Sequence, residues 1–288
     1  MKAESGHLRR IAGRHNPLVK QLRYGFSHGE PTTTGDCAVE GFRIVEEAIR
    51  SGLRLRALFL SESAQMRAAR LLPQIGSRVE TVLLPDQLFT SVVPSQSPQG
   101  IAALVELKTF GLEGILASSS PGPLLVIVGV QDPGNVGTML RSAEAFGAKG
   151  VLIGEGTVSA YNSKVIRASA GSVFRVPMVK VDLAVTVPVL RARGIRLLAT
   201  SSHKGGRLYQ SDLSGRTAIF VGNEGAGISK RLLSEMDELL LIPHSSRVES
   251  LNAAVAASII LYEVTRQKSS SEDAHASLEC RNVTGEAG

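Results

Sequence analysis

The sequence predicts an α/β chain in two parts, on three observations. From 124 to 267, apolar runs bounded by turn residues alternate with segments of helical spacing. A stretch rich in Gly, Ser and Pro, 108–123, separates that region from an earlier and smaller α/β unit. Several glycine-bearing or polar turns directly follow apolar strands, which is where open α/β sheets bind ligands.

In the first unit, 1–107, residues 39–50 have helical spacing with Val45, Ala48 and Ile49 apolar. Short strands are expected at 56–60 and 79–84, with a helix over 64–72 between them. Ser97-Pro98-Gln99-Gly100 reads as a turn into a strand at 101–106. In the second unit, strands are expected at 124–130, 151–153, 176–181, 195–200, 218–221 and 238–242. Helices are expected at 136–147, 162–169, 183–193, 229–235 and 249–267. Such alternation predicts a parallel sheet with helices on both faces. The polar tail, 268–288, is expected to be disordered.

The chain has 288 residues, 43% hydrophobic and 20% charged, which describes a globular protein able to bury a core. No apolar stretch is long enough to span a bilayer, and 1–20 carries charges without an apolar core, which argues against a secretory signal. Cys37 and Cys280 lie far apart without CxxC spacing, a usage that fits a reducing, cytoplasmic compartment. The six histidines have no metal-ligand spacing, so no metal is expected. A net charge of +6 points to an anionic partner. Residues 1–30 hold Lys2, Arg9, Arg10, Arg14, Lys20 and Arg23 against Glu4 and Glu30. Residues 41–80 add Arg43, Arg50, Arg54, Arg56, Arg67, Arg70 and Arg78. Such clusters follow a phosphate backbone or simply coat a solvated surface. Aromatic residues are only 4%, which argues against broad stacking surfaces.

Three segments carry chemistry. In the first, Asp132-Pro133-Gly134-Asn135 opens a helix whose Val136, Met139, Leu140, Ala143 and Phe146 face the core. Thr138 and Arg141 fall on the opposite face, so a cation points outward near a strand's carboxyl end. The second, Val221-Gly222-Asn223-Glu224-Gly225-Ala226-Gly227-Ile228-Ser229, puts three glycines in six positions and lets a backbone approach a ligand closely. Its plainer reading is a tight turn with Ser229 as N-cap, although Glu224 has little packing role there. The third, 242–252, leaves an apolar strand at Pro243 and enters an alanine-rich helix through Glu249, Ser250, Leu251 and Asn252. Its plainer reading is a helix cap by Glu249 or Ser250. Neither G-x-G-x-x-G nor G-x-x-x-x-G-K-[ST] occurs, which argues against dinucleotide and P-loop sites.

Together these segments resemble the SpoU (TrmH) family of RNA 2′-O-ribose methyltransferases, through DPGNVGTMLRSAEAFG at 132–147, FVGNEGAGIS at 220–229 and IPHSSRVESLNAAVAASIILYEVTRQ at 242–267. NSKVIRASAGSVFRVP at 162–177 also has the family's look. The likeness covers about 122–267, and EGFRIVEEAIRSG at 40–52 with SPQGIAAL at 97–104 is similar, more loosely, to the small RNA-binding domain that often precedes this catalytic domain. The resemblance implies a trefoil-knotted parallel-sheet methyltransferase domain over 124–267, S-adenosylmethionine as cofactor, and a homodimer. It implies catalytic roles for Asn135, Arg141, Glu224, Ser250 and Asn252. It implies cofactor contacts at Thr200, Val221, Gly222, Asn223, Gly225, Gly227, Ile242, Pro243 and Leu251. RNA is expected on Arg9, Arg10, Arg14, Lys20, Arg23 and Arg43, and ribosomal RNA is favoured over transfer RNA. The chain departs from the family at 243–248, where His244-Ser245-Ser246-Arg247 stands in a loop that often holds a glycine.

In the implied mechanism, Arg141 orients the sugar hydroxyl and the adjacent phosphate, because a guanidinium holds its proton and is a poor base. The proton passes to a phosphate oxygen, a water or a neighbouring group, and Asn135 holds Arg141 in place. The competing expectations are an RNA-binding protein of the same fold without catalysis, a knotted enzyme acting on a base nitrogen, and a dinucleotide enzyme.

Overall fold

The computed structural model describes residues 8–75 and 79–283, with side chains to 269. Lys2, Glu4, Arg78, the Cys280 side chain and 284–288 lie outside the described residues. In chain order the elements are β1 (Leu8–Arg10), α1 (Pro17–His28), β2 (Asp36–Glu40), α2 (Phe42–Arg50), β3 (Leu55–Ser61), α3 (Gln65–Ala68), β4 (Glu80–Leu84), α4 (Asp86–Val92) and β5 (Ile101–Glu106). There follow α5 (Leu112–Ala117), β6 (Leu124–Val128), α6 (Pro133–Ala145), β7 (Gly150–Ile153), α7 (Ser163–Ser169), β8 (Met178–Lys180) and α8 (Leu183–Ala192). The last are β9 (Arg196–Ser201), β10 (Gly206–Arg207), β11 (Thr217–Gly222), α9 (Lys230–Leu233), β12 (Glu238–Leu241) and α10 (Ala253–Val283).

The chain forms two compact units, 1–109 with 158–175 and 110–157 with 176–288. The first holds a mixed sheet in the order β1-β4-β3-β5-β2, with β5 antiparallel to both neighbours. Its core packs Val19 and Leu22 of α1 with Phe59, Val82, Phe89 and Leu104. Burying each such side chain stabilises by about 1.5–3 kcal/mol. Cys37, buried on β2, has its thiol pushed up to about 12 by desolvation and then by Asp36.

Three expectations are corrected in this unit. The helix expected over 39–50 starts at Phe42, because Val39 and Glu40 belong to β2 and Gly41, at φ 99°, breaks the chain between strand and helix. The helix expected over 64–72 is a single α-helical turn flanked by 3₁₀ turns. Residues 158–175, expected in the second domain, pack here: α7 meets β2, and Arg175 Nη1 donates to Glu47 Oε2 at 3.0 Å.

The second unit is a seven-stranded parallel sheet in the order β10-β12-β9-β11-β6-β7-β8. Leu124, Val126, Leu152, Leu197 and Phe220 form a core with Leu183 and Leu190 of α8. The linker expected at 108–123 contains α5, whose Ile115 and Leu116 are buried in this core. The flanking Gly, Ser and Pro hid that short apolar turn. α10 runs past the expected stop at 267 to Val283, so the tail expected to be disordered is helical over 268–283, where no glycine or proline interrupts it.

Candidate active site

Four adjacent parallel strands, β12, β9, β11 and β6, end on the same side of their sheet. Residues at and beyond the ends of β9, β11 and β12, with the start of α10, surround a cavity of about 350 Å³. Thr200 comes from the end of β9, Val221 and Gly222 from β11, and Ile242 from just beyond β12. Asn223, Glu224, Gly225, Gly227, Ser250 and Leu251 complete the expected set that lines it. Pro243 is not among the lining residues.

The loop after β11 is closed by its own side chain. Asn223 Oδ1 accepts from the Gly225 and Ala226 amides at 2.8 and 3.3 Å, while its Nδ2 donates to the Gly129 carbonyl at 2.8 Å. One residue thus folds the loop and ties it to the chain beyond β6. Gly222 is required by space: a Cβ there would lie 2.7 Å from the Gly227 carbonyl carbon and 2.8 Å from the Ile228 amide. Ser229 caps α9, accepting from the Leu232 amide at 3.3 Å.

The first and third segments meet at this loop. Asp132 caps α6, accepting from the Asn135 amide at 2.8 Å, and Pro133 stands at the start of the helix. Asn135, in the first turn of α6, donates through Nδ2 to Glu224. Its Oδ1 accepts from Asn252 Nδ2 at 2.9 Å. Asn252, rather than Glu249 or Ser250, caps α10, accepting from the Ala254 and Val255 amides at 2.9 and 3.2 Å. Ser142 and Ser258 share a 2.6 Å hydroxyl contact that packs α6 on α10. Glu224, Asn135 and Asn252 are therefore one hydrogen-bonded chain drawn from all three segments.

Arg141 lies on the outer face of α6 with Thr138, exposed, without a hydrogen-bond or ion-pair partner among the described residues. The expectation that Asn135 holds Arg141 is corrected. Six residues of helix put the two on different faces, and Asn135 is engaged by Glu224 and Asn252. Sequence reasoning missed Ser201, Ser202, His203 and the wall formed by Ala253 and Ala256. The first three directly follow Thr200 at a strand's carboxyl end, a position that points to them. His244 also lines the cavity, its Nδ1 2.8 Å from the Ile242 carbonyl.

The expected RNA-binding side chains divide. Arg9 pairs with Glu80 at 3.3 Å and Arg10 with Glu62. Arg14, Lys20, Arg23 and Arg43 have no ion pair among the described residues. Of the further arginines, Arg50, Arg54 and Arg56 are paired locally, Arg56 with buried Asp36 at 2.5 Å.

No helix of the described residues is long and apolar enough to cross a membrane, and those residues contain no group of three or more metal-ligating side chains.

Residues 122–262 match the model of the SpoU rRNA Methylase family, and 16–103 match that of the MRM3-like substrate binding domain. Over 257 residues the chain is 33% identical to the 23S rRNA (guanosine(2553)-2′-O)-methyltransferase RlmP of Bacillus subtilis (strain 168), a match spanning 89% of this chain and 99% of that one. It is 30% identical over 278 residues to a 23S rRNA (uridine(2479)-2′-O)-methyltransferase of Streptomyces viridochromogenes, across 92% and 95% of the two chains. Among solved structures it is similar to the SpoU methyltransferase AviRb of Streptomyces viridochromogenes in complex with the cofactor AdoMet, with a TM-score of 0.75 and 29% identity over 88% of this chain and 98% of that one.

Proposed function

The chain belongs to the SpoU rRNA methylase family, and from that membership we propose that it transfers the methyl group of S-adenosylmethionine to a ribose 2′-hydroxyl of large-subunit ribosomal RNA. The observation that carries this reading is the convergence of Glu224, Asn135 and Asn252 beside a cavity walled by the backbone of a glycine loop. The cavity fits the cofactor. Its lining mixes hydroxyls, backbone and apolar side chains, and Gly222, without a Cβ, lets the Gly227–Ile228 backbone close against the end of β11 as one wall of it.

The cofactor supplies an electrophilic methyl group on a sulfonium. The chain's own residues position the nucleophile. Arg141, exposed and unpaired, orients the sugar hydroxyl and the neighbouring phosphate, and the proton leaves to a phosphate oxygen, a water or a neighbouring group. Asn135 does not hold Arg141; it locks Glu224 and Asn252, so the loop after β11 and the start of α10 keep one geometry. Holding reactants in register accounts for up to ~7–11 kcal/mol of a barrier. The amino-terminal unit carries the RNA through its unpaired cations Arg14, Lys20, Arg23 and Arg43.

A homodimer through the second unit, with the knot that the family resemblance implies, is part of this proposal. Val255, Ile259 and Tyr262, at 46%, 36% and 54% exposure, form an apolar stripe one turn apart along α10. Sedimentation of the purified chain is expected to give a dimer that Ile259→Glu splits.

Incubation with labelled cofactor and ribosomal RNA, followed by nucleoside analysis, tests the activity. A 2′-O-methylated nucleoside is expected, and label found only on a base nitrogen, or none at all, overturns the reading.

A further inference from the structure

In the amino-terminal unit, the carboxyl end of β3, the start of α4 and the 97–100 turn enclose a cavity of about 290 Å³, lined by Ser61, Ser63, Arg67, Asp86, Thr90 and Gln99. Gly100 lets the turn close on β3. Its φ is +79°, and a Cβ there would lie 2.5 Å from Ser61 Oγ and 2.4 Å from Ala64 Cβ. Gln99 Oε1 accepts from the Phe42 amide at 3.1 Å, which fixes the start of α2 to the turn and leaves the amide nitrogen as a donor.

Two side chains give the cavity its chemistry. The Arg67 guanidinium rests 4.3 Å from the centre of the Phe42 ring. One face of this planar cation is covered, and Arg67 is exposed, so the other face is open. Asp86 Oδ1 accepts from the Ser63 amide and hydroxyl at 3.1 and 2.8 Å, which leaves acceptor capacity on Oδ2. These Ser63 bonds, with the Ser61 hydroxyl, hold the carboxyl below its ordinary value, so it is an anion at neutral pH. A carboxylate repels phosphate and selects a neutral group rich in N–H donors. Among the four RNA bases, guanine alone sets two donor nitrogens, N1 and N2, side by side on its Watson–Crick edge. Unpaired bases are read on that edge while stacked on aromatic rings or guanidinium planes.

We propose that this cavity takes an unpaired guanine of RNA, its edge on Asp86 and its face on the Arg67 guanidinium. The inference rests on the reading that the amino-terminal unit carries the RNA. Arg43, on α2, whose first residue Phe42 bonds to Gln99 of the cavity, serves a flanking phosphate.

The test uses the full chain and three fluorescein-labelled seven-nucleotide uridine oligoribonucleotides with guanosine, inosine or adenosine at the centre, followed by anisotropy. The guanosine probe is expected to bind about tenfold more tightly than the adenosine probe, with inosine, which lacks the N2 amine, between them. Asp86→Asn keeps an Oδ1 acceptor for Ser63, so the fold survives, and it is expected to erase the guanosine preference while adenosine binding is retained. Arg67→Ala is expected to weaken all three probes. Equal binding of guanosine and adenosine probes, preserved discrimination in Asp86→Asn, uniform loss across the three probes in that variant, or no binding of any probe overturns the proposal. Methyl transfer by the same preparation separates the two failures: an active enzyme without the preference removes this cavity's role alone, and an inactive one removes the reading beneath it.

Discussion

At the carboxyl ends of β6, β11 and β12, polar side chains bond to one another across the sequence. In the amino-terminal unit, Arg9, Arg10, Arg54 and Arg56 each pair with a single acid, and several other basic side chains have no ion pair among the described residues. Glu224, Asn135 and Asn252 are linked although 89 and 117 residues separate the pairs. Arg14, Lys20, Arg23 and Arg43, by contrast, have no ion pair among the described residues. The difference is one of physics. A hydrogen-bonded chain holds its members at one geometry, which short-range chemistry requires, and loss of one member disturbs the others. Solvated cations contribute one by one through counterion release, and no single one is indispensable.

The contrast is broken most directly by Arg141, which belongs by its sequence motif to the expected site but by its lack of partners among the described residues to the second class. If it presents the sugar hydroxyl, Arg141→Ala is expected to lower methyl transfer about 10³-fold, the scale of removing one preorganised donor. Cofactor affinity, measured by calorimetry, is expected to stay unchanged, since Arg141 does not line the cavity. Near-wild-type turnover would place Arg141 among the dispensable surface cations. Gly222→Ala acts from the other side. Its Cβ would press on the Gly227 and Ile228 backbone at 2.7–2.8 Å, and backbone cannot rotate away as a side chain can. Cofactor affinity is expected to fall with the fold intact by circular dichroism, and methyl transfer with it by about 10²-fold, because displacements near 1 Å cost that much in rate.

The same contrast explains what the sequence made legible. The three motif segments stood out because each is contiguous and carries glycines and polar residues where an apolar strand stops. The parallel sheet of the second unit was readable for a related reason: both faces of its strands are covered, so they appear as unbroken apolar runs such as 124–128. The bonds between motifs were not readable, because Asn135 could not announce that its partner is Glu224 rather than Arg141. Tertiary context also decided the cases that local pattern misjudged. Val39 and Glu40 satisfy a helical pattern, yet pairing with Ala103 and Ala102 makes them strand. Ile115 and Leu116 sit among Gly and Ser but are held by the core of the second unit. The segment 158–175 follows the second unit in sequence while its partners, Glu47 and β2, lie more than a hundred residues earlier. Composition likewise overstated the basic surface, since it counts Arg9, Arg10, Arg50, Arg54 and Arg56 without their acids.

The smallest expected effect gives the finest test of the distinction. If Arg14 and Lys20 each neutralise one phosphate, replacing both by alanine is expected to reduce the slope of log affinity against log salt by about 1.4, at roughly 0.7 per contact on single-stranded RNA. Affinity near physiological salt changes only a few-fold, and maximal methyl transfer at saturating RNA is unaltered, because neither side chain belongs to the bonded cluster. Replacing Arg9 and Arg10 instead is expected to change the slope less, because Glu80 and Glu62 already offset their charge. Equal slopes for the two double variants would mean that local ion pairs do not decide which cations meet the RNA. The exposed pairs would then open when nucleic acid arrives, as weakly held surface ion pairs are able to do at little cost.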